Sequence, residues 1–256
     1  MEVFAVQMDI VWEDRLANHA KAAALLEAAD VPADSLIVLP EMFDCGFTMH
    51  AAQVAQSKQH ESEAFLAQLA KQHRCTVLGG VVGPLVGTHA SNEAVAFDAS
   101  GSLLCRYRKQ KPFTLAGEHT HYGAGDRHER FTHLGMSISP FICYDLRFPE
   151  VFRPAALAGA ELLVVIASWP AVRSEHWVRL LQARAIENQA YAIGVNRCGT
   201  DPNLPYDGRS VAFSPLGESL GEADGAEQVM HWTIDAEAVR QWRRQFPALD
   251  DAHVQH

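Results

Sequence analysis

The apolar stretch Leu162-Leu163-Val164-Val165-Ile166-Ala167 decides the fold class. The run is short for a helix and contains three β-branched residues, so it predicts a strand that is buried on both faces. A helical pattern follows over residues 175–189, and another short strand is predicted over 192–195. A chain in which short apolar strands alternate with helices is typical of a layered α/β protein.

The same alternation extends to both ends of the chain. Asp14 is the predicted cap of a helix to about Ala29, whose buried face should carry Leu16, Ala20, Ala23 and Leu26. Further predictions are strands at 4–8, 35–39, 76–82, 131–133, 136–142 and 228–234, helices at 62–73 and 236–245, and hairpins at 92–97/103–108 and 211–214/218–220. Since no linker rich in Pro, Gly or Ser interrupts the pattern, we expect a single domain over residues 1–256.

Residues 113–130 form a polar segment with glycines and no convincing periodicity. A long irregular loop within a compact domain is usually functional. We therefore expect an active-site loop here.

The chain is acidic, with 21 Lys and Arg against 31 Asp and Glu and a formal net charge of −10. Nucleic acid is an unexpected partner, because phosphate binding needs a clustered basic face, and the basic run at 240–244 is interpreted as a solvated helix face. No apolar run approaches the roughly 18 residues of a membrane span, and the N-terminus lacks the features of a signal peptide. These features predict a cytoplasmic protein without a membrane partner.

The five cysteines argue for one reactive thiol rather than for disulfides. Their number is odd and no Cys-x-x-Cys pair occurs: Cys45, Cys75, Cys105, Cys143 and Cys198. The common nucleotide-binding and hydrolase signatures are absent, so no cofactor is predicted. The sequence His119-Thr120-His121 resembles a pair of metal ligands, but no Cys or carboxylate lies at the spacing of a known site, so no metal is predicted either.

Three polar residues each follow a predicted strand, where open α/β sheets place their ligands. Glu41 follows the first buried strand, Lys109 ends a hairpin strand and opens the long loop, and Cys143 lies at a strand-to-helix turn. Each residue alone has a commoner structural explanation: a loop acid, a surface lysine or a packed cysteine. Together a carboxylate, an ammonium and a thiol can perform acyl transfer, as base, oxyanion donor and nucleophile.

The flanking residues resemble the motifs of the nitrilase superfamily of carbon–nitrogen hydrolases. The stretches that carry the resemblance are Leu39-Pro40-Glu41-Met42-Phe43, Tyr107-Arg108-Lys109-Gln110-Lys111-Pro112-Phe113 and Cys143-Tyr144-Asp145-Leu146-Arg147-Phe148-Pro149-Glu150, with Ser168-Trp169-Pro170 and Asn196-Arg197-Cys198-Gly199 further along. The resemblance spans nearly the whole chain and is greatest to the omega-amidase branch. It implies a four-layer α-β-β-α sandwich, a homodimer or higher homo-oligomer, and hydrolysis of the terminal amide of a 2-oxo dicarboxylic acid monoamide.

The resemblance also implies roles for individual residues. Cys143 attacks the amide carbon with help from Lys109 and a helix N-terminus, and Glu41 serves as base. The Lys109 ammonium and the N–H of Tyr144 hold the oxyanion. Glu118 is in the place of a second glutamate that orients Lys109 and the substrate. Lys111 stands where the family usually has His, and Lys109 is preferred as the catalytic lysine because it holds the motif position after Tyr107.

A small anionic amide needs a cation for its distal carboxylate, which arginine can bind in a bidentate fork. We expect Arg173 to fill that role and Arg147 to form a structural ion pair. Phe43, Tyr144 and Trp169 are the expected pocket walls. The alternatives are another nitrilase-superfamily enzyme (a nitrilase, carbamoyl hydrolase or general amidase), a non-catalytic binding protein on the same scaffold, and a metal-dependent hydrolase that uses the histidines.

Overall fold

Two β-sheets covered by helices form the framework of the protein in a computed structural model, which describes residues 1–252. The strands are β1 (Glu2–Gln7), β2 (Leu36–Val38), β3 (Thr76–Val82), β4 (Ala90–Phe97), β5 (Leu103–Arg108), β6 (Tyr122–Gly123), β7 (Phe131–His133), β8 (Met136–Ile142), β9 (Leu162–Ala167), β10 (Tyr191–Asn196), β11 (Cys198–Thr200), β12 (Pro205–Asp207), β13 (Val211–Phe213), β14 (Ser219–Glu222) and β15 (Gln228–Thr233). The α-helices are α1 (Arg15–Ala28), α2 (Ala51–Val54), α3 (Glu61–His73), α4 (Pro149–Leu157), α5 (Ser174–Asn188), α6 (Ala236–Gln245) and α7 (Ala248–Asp251).

Each sheet has a parallel centre and antiparallel edges. The first sheet has the order β15-β1-β2-β3-β4-β5, with β6 paired to β4, and the second has the order β14-β13-β10-β9-β8-β7. Strands β1, β2 and β3 are parallel to one another, and so are β8, β9 and β10. Parallel neighbours need crossover connections, which α1 and α3 provide in the first half and α4 and α5 in the second.

The alternating side chains of β1 show how the layers stack. Val3 and Ala5 join a core shared with Phe141 of the second sheet, whereas Phe4 packs on the other face with Leu26 of α1. The two sheets therefore face each other, and the helices cover their outer faces. This arrangement confirms the predicted single-domain α-β-β-α sandwich.

The sheets also explain where the reactive residues meet. Strand β5 runs in the same direction as β2, because two antiparallel steps separate it from β3. The C-terminal ends of β2 and β5 therefore lie at the same end of the first sheet, and the C-terminal end of β8 lies above them in the second sheet. The long loop predicted at 113–130 contains short 3-10 turns at Thr114–Ala116 and Glu118–Thr120, followed by β6.

Two predictions about helix faces are right only in part. Leu26 of α1 is buried as predicted, but Leu16 is 79% exposed, because the Asn18 amide bonds both main-chain groups of Val11 and brings Asn18 and Ala22 to the buried face. On α6, Arg240 and Arg244 are exposed as predicted, whereas Arg243 donates to main-chain oxygens at the end of α5. None of the helices within residues 1–252 combines the length and apolarity needed to cross a membrane.

Candidate active site

Three strand ends bring the predicted reactive side chains into one cluster. Glu41 lies in the turn after β2, Lys109 directly follows β5, and Cys143 directly follows β8. The Lys109 Nζ lies 2.9 Å from Glu41 Oε1, and both side chains are buried. The Cys143 Sγ lies 3.9 Å from the main-chain oxygen of Ser168, whose own N–H donates to Glu41 Oε2 at 2.8 Å. A carboxylate, an ammonium and a thiol thus share one site.

Lys109 is held between two carboxylates. Its Nζ donates to Glu41 and to both oxygens of Glu118, at 3.1 and 2.9 Å. Glu118 also accepts from the main-chain N–H of Phe113 at 2.5 Å, which fixes the 3-10 turn in place. Burial opposes the charged form of Lys109, but the charges of Glu118 and Glu41 outweigh it and raise the pKa of Lys109. Lys109 therefore stays an ammonium ion.

Lys111 lies outside this cluster. Its Nζ is 3.8 Å from a carboxylate oxygen of Glu150 and 5.0 Å from the centre of the Phe148 ring. The structure therefore places Lys109, and not Lys111, beside Glu41.

The turn that carries Glu41 packs directly against β3. A Cβ at Gly80 would lie 2.6 Å from the Glu41 Cα and 2.7 Å from the Met42 nitrogen, so only glycine permits this approach. The Gly80 N–H and oxygen bond Pro40 and Phe43 on either side of the turn. Close main-chain packing thus fixes the position of the Glu41 carboxylate.

Cys143 occupies a strained corner between β8 and the 3-10 turn Cys143–Arg147. Its φ is 45°, in the left-handed region that costs an L-residue roughly 1–2 kcal/mol. The thiol faces the cavity described below, whereas the other four cysteines are buried. The helix N-terminus expected behind the thiol is this five-residue turn, because α4 begins only at Pro149. A helix dipole therefore contributes little at the sulfur.

The thiol is neutral in the resting site. Burial and the negative charge of Glu41 raise the pKa of Cys143 well above its usual value. The positive charge of Lys109 acts in the opposite direction but is outweighed. A nucleophilic role for this thiol would require a base to take its proton, and Glu41 is the carboxylate whose charge acts most strongly on it.

Asp145 ties the lysine segment to the cysteine turn. One carboxylate oxygen accepts from the Tyr107 hydroxyl at 2.7 Å and from the Ile142 N–H at 3.1 Å. The other accepts from the main-chain N–H groups of Gln110 and Lys111 at 3.2 and 2.9 Å. Asp145 is fully buried, and burial raises its pKa to about 6. This buried carboxyl fixes the distance between the segments that carry Lys109 and Cys143.

Asp145 should make stability depend on pH in a direction opposite to that of most carboxyl groups. Because its pKa is higher in the folded than in the unfolded state, folding takes up a proton between about pH 4 and pH 6. Its contribution to the free energy of unfolding is therefore largest below pH 4 and decreases as the pH rises through 6. The stability of wild type relative to Asp145→Asn, which does not titrate, should fall by about 2–3 kcal/mol from pH 4 to pH 7. Urea unfolding of both proteins across this range measures the difference, and a constant difference contradicts the assignment.

A cavity of about 530 Å³ opens above Cys143. Tyr144 and Trp169 line it, in the positions expected of two walls. Phe43 does not line the cavity, so its predicted role is wrong: it is buried in the outer core, with its ring 5.6 Å from His19. The tight turn after Met42, closed by the Gly46 N–H, directs Phe43 toward the helices. Phe47, four residues later, lines the cavity instead.

Two arginines line the same cavity. Arg173 lies 5.5 Å from the Phe113 ring centre and Arg147 lies 4.8 Å from that of Trp169. The structural ion pair predicted for Arg147 is wrong, because within residues 1–252 neither arginine pairs with a carboxylate. Burial and the nearby charge of Arg173 lower the pKa of Arg147. Two uncompensated guanidinium groups thus face the space above the thiol.

The histidines within residues 1–252 do not assemble into a metal site. His119 is exposed on the long loop. Over the part of the chain that the structure describes, no group of three or more His, Cys, Asp and Glu side chains is arranged to hold a metal ion.

Sequence reasoning missed several polar groups of the site. Asn92, in the middle of β4, donates from Nδ2 to Glu41 Oε1 at 2.7 Å and to Glu118 Oε1 at 2.9 Å. Asn92 could have been found from its position within a predicted hairpin strand, because a buried asparagine in a strand is unfavourable unless it has a specific hydrogen-bond partner. The Ser168 N–H carried no such signal, because main-chain donors leave no mark in the sequence.

Comparison with known proteins finds relatives from one enzyme family over almost the whole chain. The family model described as carbon-nitrogen hydrolase matches residues 3–244. The omega-amidase YafV of Escherichia coli strain K12 is 38% identical over 258 residues, which cover 98% of this chain and 96% of the relative. The 2-oxoglutaramate amidase of Bacillus subtilis strain 168 is 32% identical, covering 97% of this chain and 96% of the relative.

A solved structure has a closely similar fold. It is the protein XC1258 of Xanthomonas campestris, a CN-hydrolase superfamily protein with an arsenic adduct in its active site. The two chains share 31% identity with a TM-score of 0.92, over 100% of this chain and 98% of XC1258.

Proposed function

The chain belongs to the carbon–nitrogen hydrolase family, and on this premise we propose that it is an omega-amidase, which releases ammonia from the terminal amide of a 2-oxo dicarboxylic acid monoamide such as 2-oxoglutaramate or 2-oxosuccinamate. Family membership makes it a hydrolase of carbon–nitrogen bonds. The observation that supports the finer proposal is the cavity, where a thiol beside a carboxylate and an ammonium faces two arginines that pair with no carboxylate of residues 1–252. Relatives named for omega-amidase and 2-oxoglutaramate amidase activity support the same choice.

The proposed reaction begins with attack of the Cys143 sulfur on the amide carbon. Glu41 takes the thiol proton at the same time, since the thiol is neutral at rest. The carbonyl oxygen becomes an oxyanion, which the buried Lys109 ammonium and the main-chain N–H of Tyr144 stabilise. These donors are fixed before the substrate enters, because Lys109 is held by two carboxylates.

Collapse of this intermediate leaves a thioester on Cys143. Glu41 returns its proton to the departing nitrogen, which leaves as ammonia. The freed carboxylate then removes a proton from a water molecule that attacks the thioester. The sulfur recovers this proton, and the dicarboxylic acid product departs. One carboxylate thus serves both halves of the reaction without a cofactor.

Arg173 and Arg147 are proposed to bind the 2-oxo acid end of the substrate. Substituting either by Ala should lower kcat/KM for 2-oxoglutaramate by about 10- to 100-fold, mainly through KM, because a charged hydrogen bond to the carboxylate is lost. The activity toward butyramide, which lacks the carboxylate, should change by less than about threefold. Steady-state ammonia release with both amides measures this split.

The matched control is Arg179→Ala. Arg179 lies on the exposed side of α5, where it faces Glu175 at 3.8 Å, and it is not part of the cavity wall. It should leave both substrates unaffected. Equal losses on the charged and the neutral amide in the Arg173 and Arg147 variants would remove the arginines from carboxylate binding. Assembly as a homodimer and a cytoplasmic location stay predictions from the sequence.

A further inference from the structure

Asn92 contacts both carboxylates of the buried cluster with one amide group. Its Nδ2 lies 2.7 Å from Glu41 Oε1 and 2.9 Å from Glu118 Oε1. Its main-chain oxygen accepts the N–H of Lys109 at 2.9 Å. Asn92 is 1% exposed and is not part of the cavity wall. It therefore acts on the base and not on the substrate.

The chemistry of the cluster fixes the orientation of the Asn92 amide. Two carboxylate oxygens face the same end of the side chain, and only the NH₂ group can donate to both. The amide oxygen, Oδ1, is buried without a hydrogen-bond partner. A buried unpartnered oxygen is unfavourable, by about 1–3 kcal/mol. The amide keeps this orientation because its two hydrogen bonds to the carboxylates outweigh the cost of the unpartnered oxygen.

The two carboxylate oxygens of Glu41 accept different numbers of hydrogen bonds. Oε1 accepts from Lys109 Nζ at 2.9 Å and from Asn92 Nδ2 at 2.7 Å, so both of its lone-pair positions are used. Oε2 accepts one hydrogen bond, from the Ser168 N–H at 2.8 Å. The main-chain oxygen of that same Ser168 is the group beside the Cys143 sulfur. The free acceptor position of the base is therefore on Oε2.

We propose that Glu41 exchanges its catalytic proton through Oε2 alone, and that Asn92 is the positioning residue that keeps Oε1 occupied. This inference rests on the proposed function. In the acylation step the S–H bond breaks, its proton goes to Oε2, and the sulfur electron pair forms the bond to the amide carbon. The carbonyl π pair moves to oxygen and returns when the C–N bond breaks, and the nitrogen takes the proton from Oε2. Charge is conserved, because the proton that leaves the thiol reaches the departing nitrogen through Oε2, while Oε1 keeps its two donors.

Four ionisable groups surround Glu41 in this arrangement. They come from separate elements: Lys109 after β5, Glu118 in its 3-10 turn, Cys143 after β8 and Tyr122 in β6. Only Lys109 carries a positive charge. The neutral donor from Asn92 is therefore the second group, after Lys109, that holds Oε1 of Glu41.

Asn92→Ala removes this donor and should slow the chemical step without weakening substrate binding. The kcat should fall about tenfold because the base is less well oriented, while KM stays within about twofold. A loss confined to kcat is the mark of a residue that positions the base and does not touch the substrate. The readout is steady-state ammonia release, from which kcat and KM are determined separately.

Two further variants keep the test decisive. Asn188→Ala is the matched control: Asn188 is fully buried, donates one hydrogen bond to Arg184 and also has an unpartnered Oδ1, but it lies at the end of α5. It should leave kcat and KM within about twofold of wild type. Asn92→Asp keeps the shape but replaces the donor with a third carboxylate, so it should lose more activity than Asn92→Ala. If Asn92→Ala does not fold, the loss of activity in Asn92→Asp tests the inference instead.

An unchanged kcat in Asn92→Ala, an equal loss in Asn188→Ala, or wild-type activity in Asn92→Asp would each overturn the inference. Alkylation of Cys143 by iodoacetamide separates this failure from failure of the proposed function, because it needs no amide substrate. Its rate, followed by mass spectrometry of the Cys143 peptide, should be about tenfold lower in Asn92→Ala than in wild type and in Asn188→Ala. An enzyme that releases no ammonia but shows this slower alkylation refutes the substrate proposal and retains the role of Asn92.

Discussion

Cys143→Ala should reduce ammonia release from 2-oxoglutaramate by at least about 10⁴-fold, because no other group can form the thioester. The loss should appear in kcat. The variant should fold normally, since Ala and Cys meet the same steric demand at the left-handed φ of 45°. Circular dichroism and thermal unfolding check the fold, and an ammonia assay with excess enzyme measures the residual rate.

Cys105→Ala is the control for this substitution. Cys105 is buried in the core between the sheets, so its replacement should lower stability by about 1 kcal/mol and leave kcat unchanged. Substantial ammonia release by Cys143→Ala would show that the nucleophile is a different group. A comparable loss in Cys105→Ala would show that the assay reports unfolding.

Glu41→Gln should lower kcat by about 10³-fold or more, because it removes the base from both halves of the reaction. The amide also fits its surroundings poorly. Three donors point at the Glu41 carboxylate, from Lys109, Asn92 and the Ser168 N–H, and the NH₂ of Gln must face at least one of them. The loss should persist at every pH, because the variant has no carboxylate at position 41 to take the thiol proton. Rates of ammonia release from pH 5 to pH 9 show which pattern holds.

The control for the second substitution is Glu150→Gln. Glu150 is an exposed carboxylate at the start of α4 and faces Lys111 at 3.8 Å, so its charge is not needed at the thiol. It should leave kcat within about twofold of wild type. Recovery of full activity by Glu41→Gln at high pH would contradict the role of Glu41, since hydroxide would then suffice to ionise the thiol.

The sequence predicts the fold well because strands and helices depend on local patterns. Apolar runs such as Leu162–Ala167 mark strands, and Glu41, Lys109 and Cys143 each come after a strand. The catalytic roles of these three residues stay predictions. Strands that run in the same direction have their C-terminal ends at the same end of a sheet, so the proximity of these three residues follows from the topology. Family resemblance supplied the pairing of two sheets, which a pattern within one chain does not show.

The errors concern features that depend on turns and tertiary contacts. Phe43 was expected in the cavity and Phe47 was overlooked, because the tight turn after Met42 decides which aromatic residue faces it. Arg147 was expected to pair with a carboxylate, but none lies within reach in the described structure. Leu16 is exposed because the amide of Asn18 determines how α1 meets the preceding loop. None of these contacts has a periodic signature in the sequence.

The substrate preference of the wild-type protein distinguishes an omega-amidase from the alternative enzymes and from a binding protein. The measurement is kcat/KM for ammonia release from 2-oxoglutaramate, compared with butyramide, the matching nitrile and a carbamoyl compound. If Cys143 acts beneath a cavity whose two arginines bind a carboxylate, 2-oxoglutaramate should be preferred over butyramide by about a hundredfold or more. Faster reaction of butyramide, the nitrile or the carbamoyl compound would contradict the omega-amidase assignment, and the absence of ammonia release from every compound would favour a binding protein.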